Sequence, residues 1–180
     1  MSLFWIFPLL VGQRLLELVI SRRNQRLIEA CGGREFYPNT FLAIAFLHTL
    51  FIVSLLIESA PWRVPANALT WWCLAAYVLL QGLRYWCMAS LGIWWNARIV
   101  LLPGGEVSRK GPYRFMRHPN YLVVLLEFVL LPLLLRAPIT FAAYFPVNIL
   151  ILRHRIVLEE QALREQTDYG SKFPDPRTNG

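Results

Sequence analysis

The chain has 180 residues, of which 56% are hydrophobic and 16% are charged, and its mean hydropathy is +0.43. A soluble domain of this length needs a far more polar surface, so the composition excludes an ordinary soluble protein and favours one membrane domain over residues 1–180. The net charge of +7 is high enough to suggest a nucleic-acid partner, but the basic residues fall where membrane proteins carry them.

The first half of the chain contains three apolar segments. Residues 41–57 carry no formal charge and residues 68–92 carry only Arg84, so both satisfy the need for about 20 apolar residues to cross a bilayer core of ~30 Å. Residues 1–20 are a weaker candidate because Arg14 and Glu17 interrupt them. These two side chains are three positions apart and can pair on one helix face.

The second half contains an apolar region that is too long for one span. Residues 121–135 and 139–152 are separated by Arg136 and Pro138, and a proline there disfavours a continuous helix. We therefore expect a tight helical hairpin at this point. In total the sequence predicts an all-α integral membrane bundle of about five transmembrane helices, followed by a cytoplasmic C-terminal helix.

The basic residues alternate with the predicted spans. The segments 21–39, 91–118 and 153–180 hold most of the arginine and lysine, whereas the opposite loops hold only Arg63 and Arg136. Because positive residues prefer the cytoplasmic side, we predict a multi-pass protein with its N-terminus outside and its C-terminus in the cytoplasm. In a bacterium, the membrane that the protein crosses would be the inner membrane. The same asymmetry explains the net charge without a nucleic-acid partner.

Few residues inside the predicted spans can carry chemistry. Glu127 lies in the fourth span with no charged neighbour in sequence, and an ionisable residue in a membrane segment is a candidate for function. It is seven residues from Asn120, so both face one side of a helix. Arg84 is either functional or close enough to a helix end to reach the interface. The cysteine and histidine spacing predicts no metal site.

The segment "KGPYRFMRHPNY", residues 110–121, is basic and aromatic and immediately precedes an apolar helix. Pro119 stands where helix-initiating prolines occur, and His118 lies in the capping region. The free amide groups of such a helix start suit an anionic group. Tyr113 and Tyr121 suit the membrane interface. From these residues alone we predict an anion-binding cytoplasmic loop.

The order of the motifs is more specific. "GPYRFMRHPNY" follows "LGIWWNARIV" and precedes two apolar helices and then "RIVLEEQAL". Residues 91–163 thereby resemble the isoprenylcysteine carboxyl methyltransferase family of integral membrane enzymes. The resemblance implies S-adenosylmethionine as methyl donor, bound on the cytoplasmic side. It assigns cofactor binding to Tyr113, Arg117, His118, Pro119 and Tyr121, and places Arg155, Glu159 and Glu160 near the reacting groups.

The resemblance leaves the methyl acceptor open. An isoprenylcysteine carboxylate could be held by Arg155, whereas a long-chain phenolic or pyrone lipid would need Glu159 or Glu160 as a base with a raised pKa. We favour the small lipid because the C-terminal tail is short. It would enter sideways from the bilayer, with Trp94 and Trp95 suited to a gate at headgroup level.

Two other functions remain possible from the sequence. Some sterol reductases resemble this family near their C-terminus, so the chain could be a membrane reductase that uses NADPH. It could also be a non-catalytic protein whose basic face contacts anionic lipids. Two departures from the family pattern, Val123 in place of a glycine and the divergent segment 164–180, bear on the acceptor more than on the donor. The sequence gives no prediction of oligomeric state.

Overall fold

The computed structural model describes residues 1–173. Five long helices account for most of the chain, which confirms the predominantly helical fold class. The described residues also form a short sixth helix, two 3-10 turns and two three-residue strands. The helices are α1 Ile6–Ala30, α2 Pro38–Glu58, α3 Ala68–Leu91, α4 Pro119–Leu135, α5 Pro138–Gln166 and α6 Tyr169–Lys172, and the strands are β1 Arg34–Phe36 and β2 Ile99–Leu101.

The hairpin between α4 and α5 forms where the sequence predicts it. Arg136 adopts a left-handed conformation with a φ of 56°, which ends α4, and Pro138 is the first residue of α5. The carboxylate of Glu58, at the end of α2, accepts hydrogen bonds from the backbone amides of Ile139 and Thr140 at 2.8 and 2.6 Å. A side chain of α2 therefore satisfies amide groups that the start of α5 would otherwise leave free.

The two strands form a small antiparallel sheet that the sequence analysis did not predict. Glu35 pairs with Val100 at its centre, so the α1–α2 loop is joined to the loop after α3. An ion pair of 2.7 Å between Arg98 and Glu35 reinforces this junction. Three-residue strands are too short to give a periodic signal in the sequence.

The loops gather at two ends of the bundle. At one end the amino group of Met1 donates to the carbonyl of Val64 at 2.7 Å, close to the contact of Glu58 with α5. At the other end the side-chain amide of Asn24 donates to the carbonyl of Trp95 at 2.7 Å. The basic segments that the sequence analysis assigned to one side thus share one end of the described bundle.

The outer surface of the bundle is apolar. Trp72, Leu79 and Ile139 are each about three-quarters exposed, which is unusual for large apolar side chains of a soluble protein. Helices α2 and α5 are long and apolar enough to cross a membrane, and α4 is apolar but shorter. These surfaces indicate membrane association, while the count of five spans stays a prediction.

Four charged side chains form a closed ring inside the bundle. Glu17 of α1 accepts from Arg14 and Arg84, and Glu127 of α4 accepts from the same two arginines. Gln81 of α3 adds a 2.8 Å hydrogen bond to Glu127. The prediction that Arg14 and Glu17 pair is confirmed. The alternative that Arg84 reaches the interface is wrong, because its side chain is buried against two carboxylates.

We predict that Glu127→Gln destabilises the protein strongly. The substitution preserves shape but removes one of two negative charges from the ring, and removing one partner of a buried ion pair costs about 3–5 kcal/mol. Thermal unfolding of the detergent-purified protein should show a clearly lower midpoint. Glu165→Gln is the matched control, because Glu165 is exposed and its hydrogen-bond partner within residues 1–173 is Gln161 alone. Equal midpoints for both variants would contradict a stabilising role for the ring.

Candidate functional site

The motif segment begins with a turn that packs tightly on α3. Gly111 has a φ of +54°, and a Cβ atom there would collide with the side chains of Ser90 and Trp86. Only glycine tolerates both conditions. Residues Gly111–Arg114 then form a single 3-10 turn, which directs Tyr113 towards the bundle. Burial, together with the nearby Cys87 and Glu159, raises the pKa of the Tyr113 hydroxyl, so this group remains protonated and able to donate.

The start of α4 follows the sequence prediction. His118 occupies the position before the helix and Pro119 is its first residue. Nε2 of His118 lies 3.0 Å from a carboxylate oxygen of Glu160 on α5. The two family motifs, far apart in sequence, are therefore in direct contact.

Glu160 lies at the centre of a polar cluster on the motif side of the bundle. The same oxygen that contacts His118 accepts from the hydroxyl of Tyr169 at 2.9 Å, and Arg117 lies 3.6 Å away. Burial would raise the pKa of Glu160, but hydrogen bonds from His118 and Tyr169 and the charges of His118 and Arg117 lower it below its ordinary value. The expectation of a base with a raised pKa is thus wrong for Glu160.

Arg155 and Glu159 meet through a tyrosine rather than directly. The hydroxyl of Tyr121 donates to Glu159 and accepts from Nε of Arg155 at 2.8 Å. Arg155 also donates to Thr40 at 3.1 Å and to the carbonyl of Ala97 at 2.6 Å. The predicted shared face of Arg155 and Glu159 is present. Because the arginine is buried and bonded through all three nitrogens, it orients Tyr121 instead of offering an open site for a carboxylate.

The segment after α5 covers the motif residues. The carboxylate of Asp168 accepts from the backbone amide of Val107 at 2.7 Å, and Lys172 donates to the carbonyl of Val107 at 3.0 Å. The guanidinium of Arg117 lies over the ring of Phe173, 5.6 Å from the centre of that ring. These contacts fix the loop before the motif against the C-terminal helix.

A single cavity of about 520 Å³ connects these groups to the interior of the bundle, within the size range of small-molecule sites. At the motif end it is lined by Tyr113, His118, Asn120, Tyr121, Glu159 and Tyr169. Away from the motifs it continues as an apolar arm between α1 and α2. Val11, Leu15 and Val53 line that arm and are 44%, 58% and 45% exposed, so the arm opens sideways towards the surrounding lipid.

Two buried polar atoms at the cavity have no hydrogen-bond partner among the described residues. They are Oδ1 of Asn120 and Nε1 of Trp95, an acceptor and a donor that both belong to residues lining the cavity. Trp95 is 4% exposed, so the expectation that it forms a gate at headgroup level is wrong. Trp94 is 41% exposed and also lines the cavity.

Most of the predicted site residues line the cavity, but Pro119, Glu127 and Glu160 do not. Tyr113, Arg117, His118, Asn120 and Tyr121 meet Glu159 at the motif end of the cavity. Glu127 does not line the cavity, although it shares a helix with Asn120, and instead belongs to the charged ring. Among residues 1–173 no group of three His, Cys, Asp or Glu side chains could hold a metal ion.

Three contributors were missed by the sequence analysis. Thr40 and Ala97 hold Arg155, and Tyr169 holds Glu160. Thr40 and Ala97 carry no signal in the sequence, since one is an ordinary hydroxyl and the other acts through its backbone. Tyr169 is an aromatic residue shortly after the second motif and could have been considered on that ground.

Comparison with known proteins confirms the family resemblance noted from the sequence. Residues 72–165 match the isoprenylcysteine carboxyl methyltransferase (ICMT) family, a segment that contains both motifs and the hairpin between them. The chain belongs to the ICMT family. The match begins within α3, earlier than residue 91, where the resemblance noted from the sequence begins.

Two bacterial relatives extend the similarity to nearly the whole chain. The protein described as uncharacterized protein YpbQ of Bacillus subtilis is 38% identical over 166 residues, which is 91% of this chain and 98% of that protein. An uncharacterized protein of Haemophilus influenzae is 25% identical over 158 residues, which is 87% of this chain and 92% of that protein. No solved structure matches the chain significantly. Membership of the ICMT family implies a membrane methyltransferase.

We predict that the contribution of Glu160 to stability depends on pH. The pKa of Glu160 in the folded state is below its ordinary value. The ionised carboxylate therefore stabilises the fold at pH values above the ordinary pKa of a glutamate. This stabilisation is lost as the pH falls through the folded-state pKa. The melting temperature of Glu160→Gln should lie below that of the wild type at neutral pH, and the two should converge as the pH falls through the ordinary pKa of a glutamate and then through its lower folded-state pKa. A difference that stays constant over this range would contradict the charge contacts.

Proposed function

We propose that the chain is an S-adenosylmethionine-dependent methyltransferase that methylates an oxygen atom of a long-chain lipid. The acceptor is a phenolic or pyrone lipid in the first instance, with an isoprenylcysteine carboxylate as the second choice. The observation that carries this proposal is the single cavity, which joins a polar end built from the family motifs to an apolar arm open to the bilayer. A donor and a lipid acceptor can meet in such a space without water between them.

The motif end of the cavity fits the donor. The unpaired acceptor of Asn120 and the unpaired donor of Trp95 suit a polar nucleoside, and the ring faces of Tyr113 and Tyr121 suit a sulfonium cation. His118 and Arg117 suit the donor's carboxylate. When bound, S-adenosylmethionine supplies an electrophilic methyl group, so the protein itself has mainly to orient the reactants and exclude water.

The two glutamates of the second motif support the walls of this end. Glu159 lines the cavity and holds the hydroxyl of Tyr121, whereas Glu160 is bonded to His118 and Tyr169. Arg155 completes the arrangement by fixing Tyr121 from the opposite side. We propose that these three residues keep the motif residues in the geometry that binds the donor.

The proposed orientation in the membrane follows from the basic end of the bundle. We propose five spans, with the motif end in the cytoplasm and Met1 on the outside, in accordance with the positive-inside rule. Reporter fusions to the two termini should then report opposite sides of the membrane. The lipid acceptor would enter the apolar arm between α1 and α2 from within the bilayer.

We predict that His118→Ala weakens the binding of S-adenosylmethionine by about tenfold or more, which corresponds to about 1.4 kcal/mol. The substitution removes a ring that both lines the cavity and braces Glu160. Calorimetric titration of the purified protein measures the affinity directly. His154→Ala is the matched control, because His154 is an exposed histidine of α5 that does not line this cavity. Unchanged affinity in His118→Ala would contradict the assignment of the motif end to the donor.

The acceptor can be tested by supplying the purified protein with labelled donor and one of three acceptors. We expect efficient transfer to a long-chain alkylphenol, weak transfer to a soluble short-chain phenol, and less transfer to a farnesylcysteine analogue. Equal transfer to the two phenols would refute entry from the bilayer. Transfer to farnesylcysteine alone would refute the preference for a small lipid, and the absence of donor binding would refute the methyltransferase assignment itself.

A further inference from the structure

The inner end of the cavity, which lies beside the charged ring and away from the motif residues, contains a histidine. One of its two ring nitrogens has no hydrogen-bond partner among residues 1–173. His48 of α2 lines the cavity, and its Nδ1 lies 2.9 Å from the carbonyl of Ile44. A carbonyl oxygen only accepts, so Nδ1 carries the hydrogen, and the neutral ring leaves Nε2 as an acceptor. The His48 ring also has an apolar neighbour, because it makes an edge contact with the ring of Phe128, with 5.2 Å between the ring centres. Within residues 1–173 no side chain donates to Nε2.

A cationic donor lies beside this histidine. Arg14 belongs to the charged ring, yet its side chain is still 21% exposed, while those of Arg84 and Glu127 are 2% and 1% exposed. The exposed part of Arg14 lines the same cavity as His48. The His48 ring contacts Phe128, and Arg14 is bonded to Glu127, the residue before Phe128 on α4. Glu17 and Arg84 also line the cavity, but they are bonded to each other within the charged ring. The inner end of the arm thus presents Nε2 of His48 as a free acceptor and Arg14 as the most exposed arginine of the ring.

A purely hydrocarbon ligand fits this end poorly. It would remove both groups from water without replacing their hydrogen bonds, which carries a free-energy cost. A hydroxyl group meets both requirements, because its hydrogen can be donated to Nε2 of His48 while its oxygen accepts from Arg14. An O-methyl ether of the same shape can accept from Arg14 but has no hydrogen to donate to the histidine.

We propose that His48 and Arg14 form a binding site for the hydroxyl group of the lipid acceptor at the inner end of the cavity. This inference rests on the proposed function and specifies which residues hold the acceptor. The ligand is a lipid with an apolar tail and a hydroxyl-bearing head, a phenol or an enol, held by its hydroxyl before the donor reacts with it.

The position of His48 along α2 separates this site from Glu159 and Glu160. Thr40, which contacts Arg155, lies eight residues before His48 on α2, a separation of about 12 Å along the helix. The side chain of Glu159, at the level of Arg155 and Tyr121, is beyond hydrogen-bond distance of a hydroxyl held by His48. His48 thus takes the contact with the acceptor oxygen that the sequence analysis assigned to Glu159 or Glu160. Donor and acceptor then occupy the cavity one behind the other.

The test measures binding of a long-chain alkylphenol, and of its O-methyl ether with the same chain, to detergent-purified protein without the methyl donor. Tryptophan fluorescence or calorimetry gives both affinities. We expect the wild type to bind the phenol about tenfold more tightly than the ether, and His48→Leu to lose that difference by weakening only the phenol. His48→Gln, whose amide oxygen can accept, should bind the phenol more tightly than His48→Leu.

Thr49→Val is the control for a change on the same helix. Thr49 also lines the cavity, but its hydroxyl already donates to the carbonyl of Ala45 at 2.8 Å, so both affinities should be unchanged. Unaltered phenol binding in His48→Leu would overturn the proposal. So would an equal loss of phenol and ether, because that would indicate a role in shape alone. A separate titration with S-adenosylmethionine distinguishes failure of the methyltransferase assignment, which would leave the contrast between phenol and ether intact.

Discussion

The arrangement of the bundle depends on the neutralisation of charge between α1, α3 and α4. In an apolar interior the two arginines and two glutamates cannot be exposed singly to lipid, so each must lie where it touches two opposite charges. The three helices lie at a relative depth that places Glu17 and Glu127 each between Arg14 and Arg84. That depth also sets where α4 begins, and with it the height of His118 and Tyr121.

A second set of contacts turns this fixed height into a binding geometry. Arg155 reaches from α5 to Thr40 on α2, to the backbone of Ala97 and to Tyr121 on α4. Four separate parts of the chain are thereby held around one guanidinium, whose planar shape imposes directions as well as distances. Lysine could supply the charge at this position but could not make the three contacts in fixed directions.

The sequence predicted those features that depend on local chemistry. Pro119 and Pro138 begin helices as expected, and the motifs that identified the family do meet in space. Features that depend on distant pairing were not predictable. Arg84 and Glu127 are 43 positions apart, and neither carries a sign of its partner, so Glu127 was assigned to function rather than to the ring. Trp95 was misplaced for a similar reason, because it lies against α1, where Asn24 donates to its carbonyl, and α1 is distant from it in sequence.

The lateral opening between α1 and α2 has a consequence for how this protein meets its ligands. Val11, Leu15 and Val53 form the rim of the opening, so in a bilayer the missing wall is completed by the acyl chains of ordinary lipids. A hydrophobic ligand must displace such a chain, which makes the membrane a competitor as well as a solvent. Occupancy is then governed by the mole fraction of the ligand among lipids, not by its concentration in water. Bilayers of different chain length or unsaturation would shift the half-saturation point without any change in the protein.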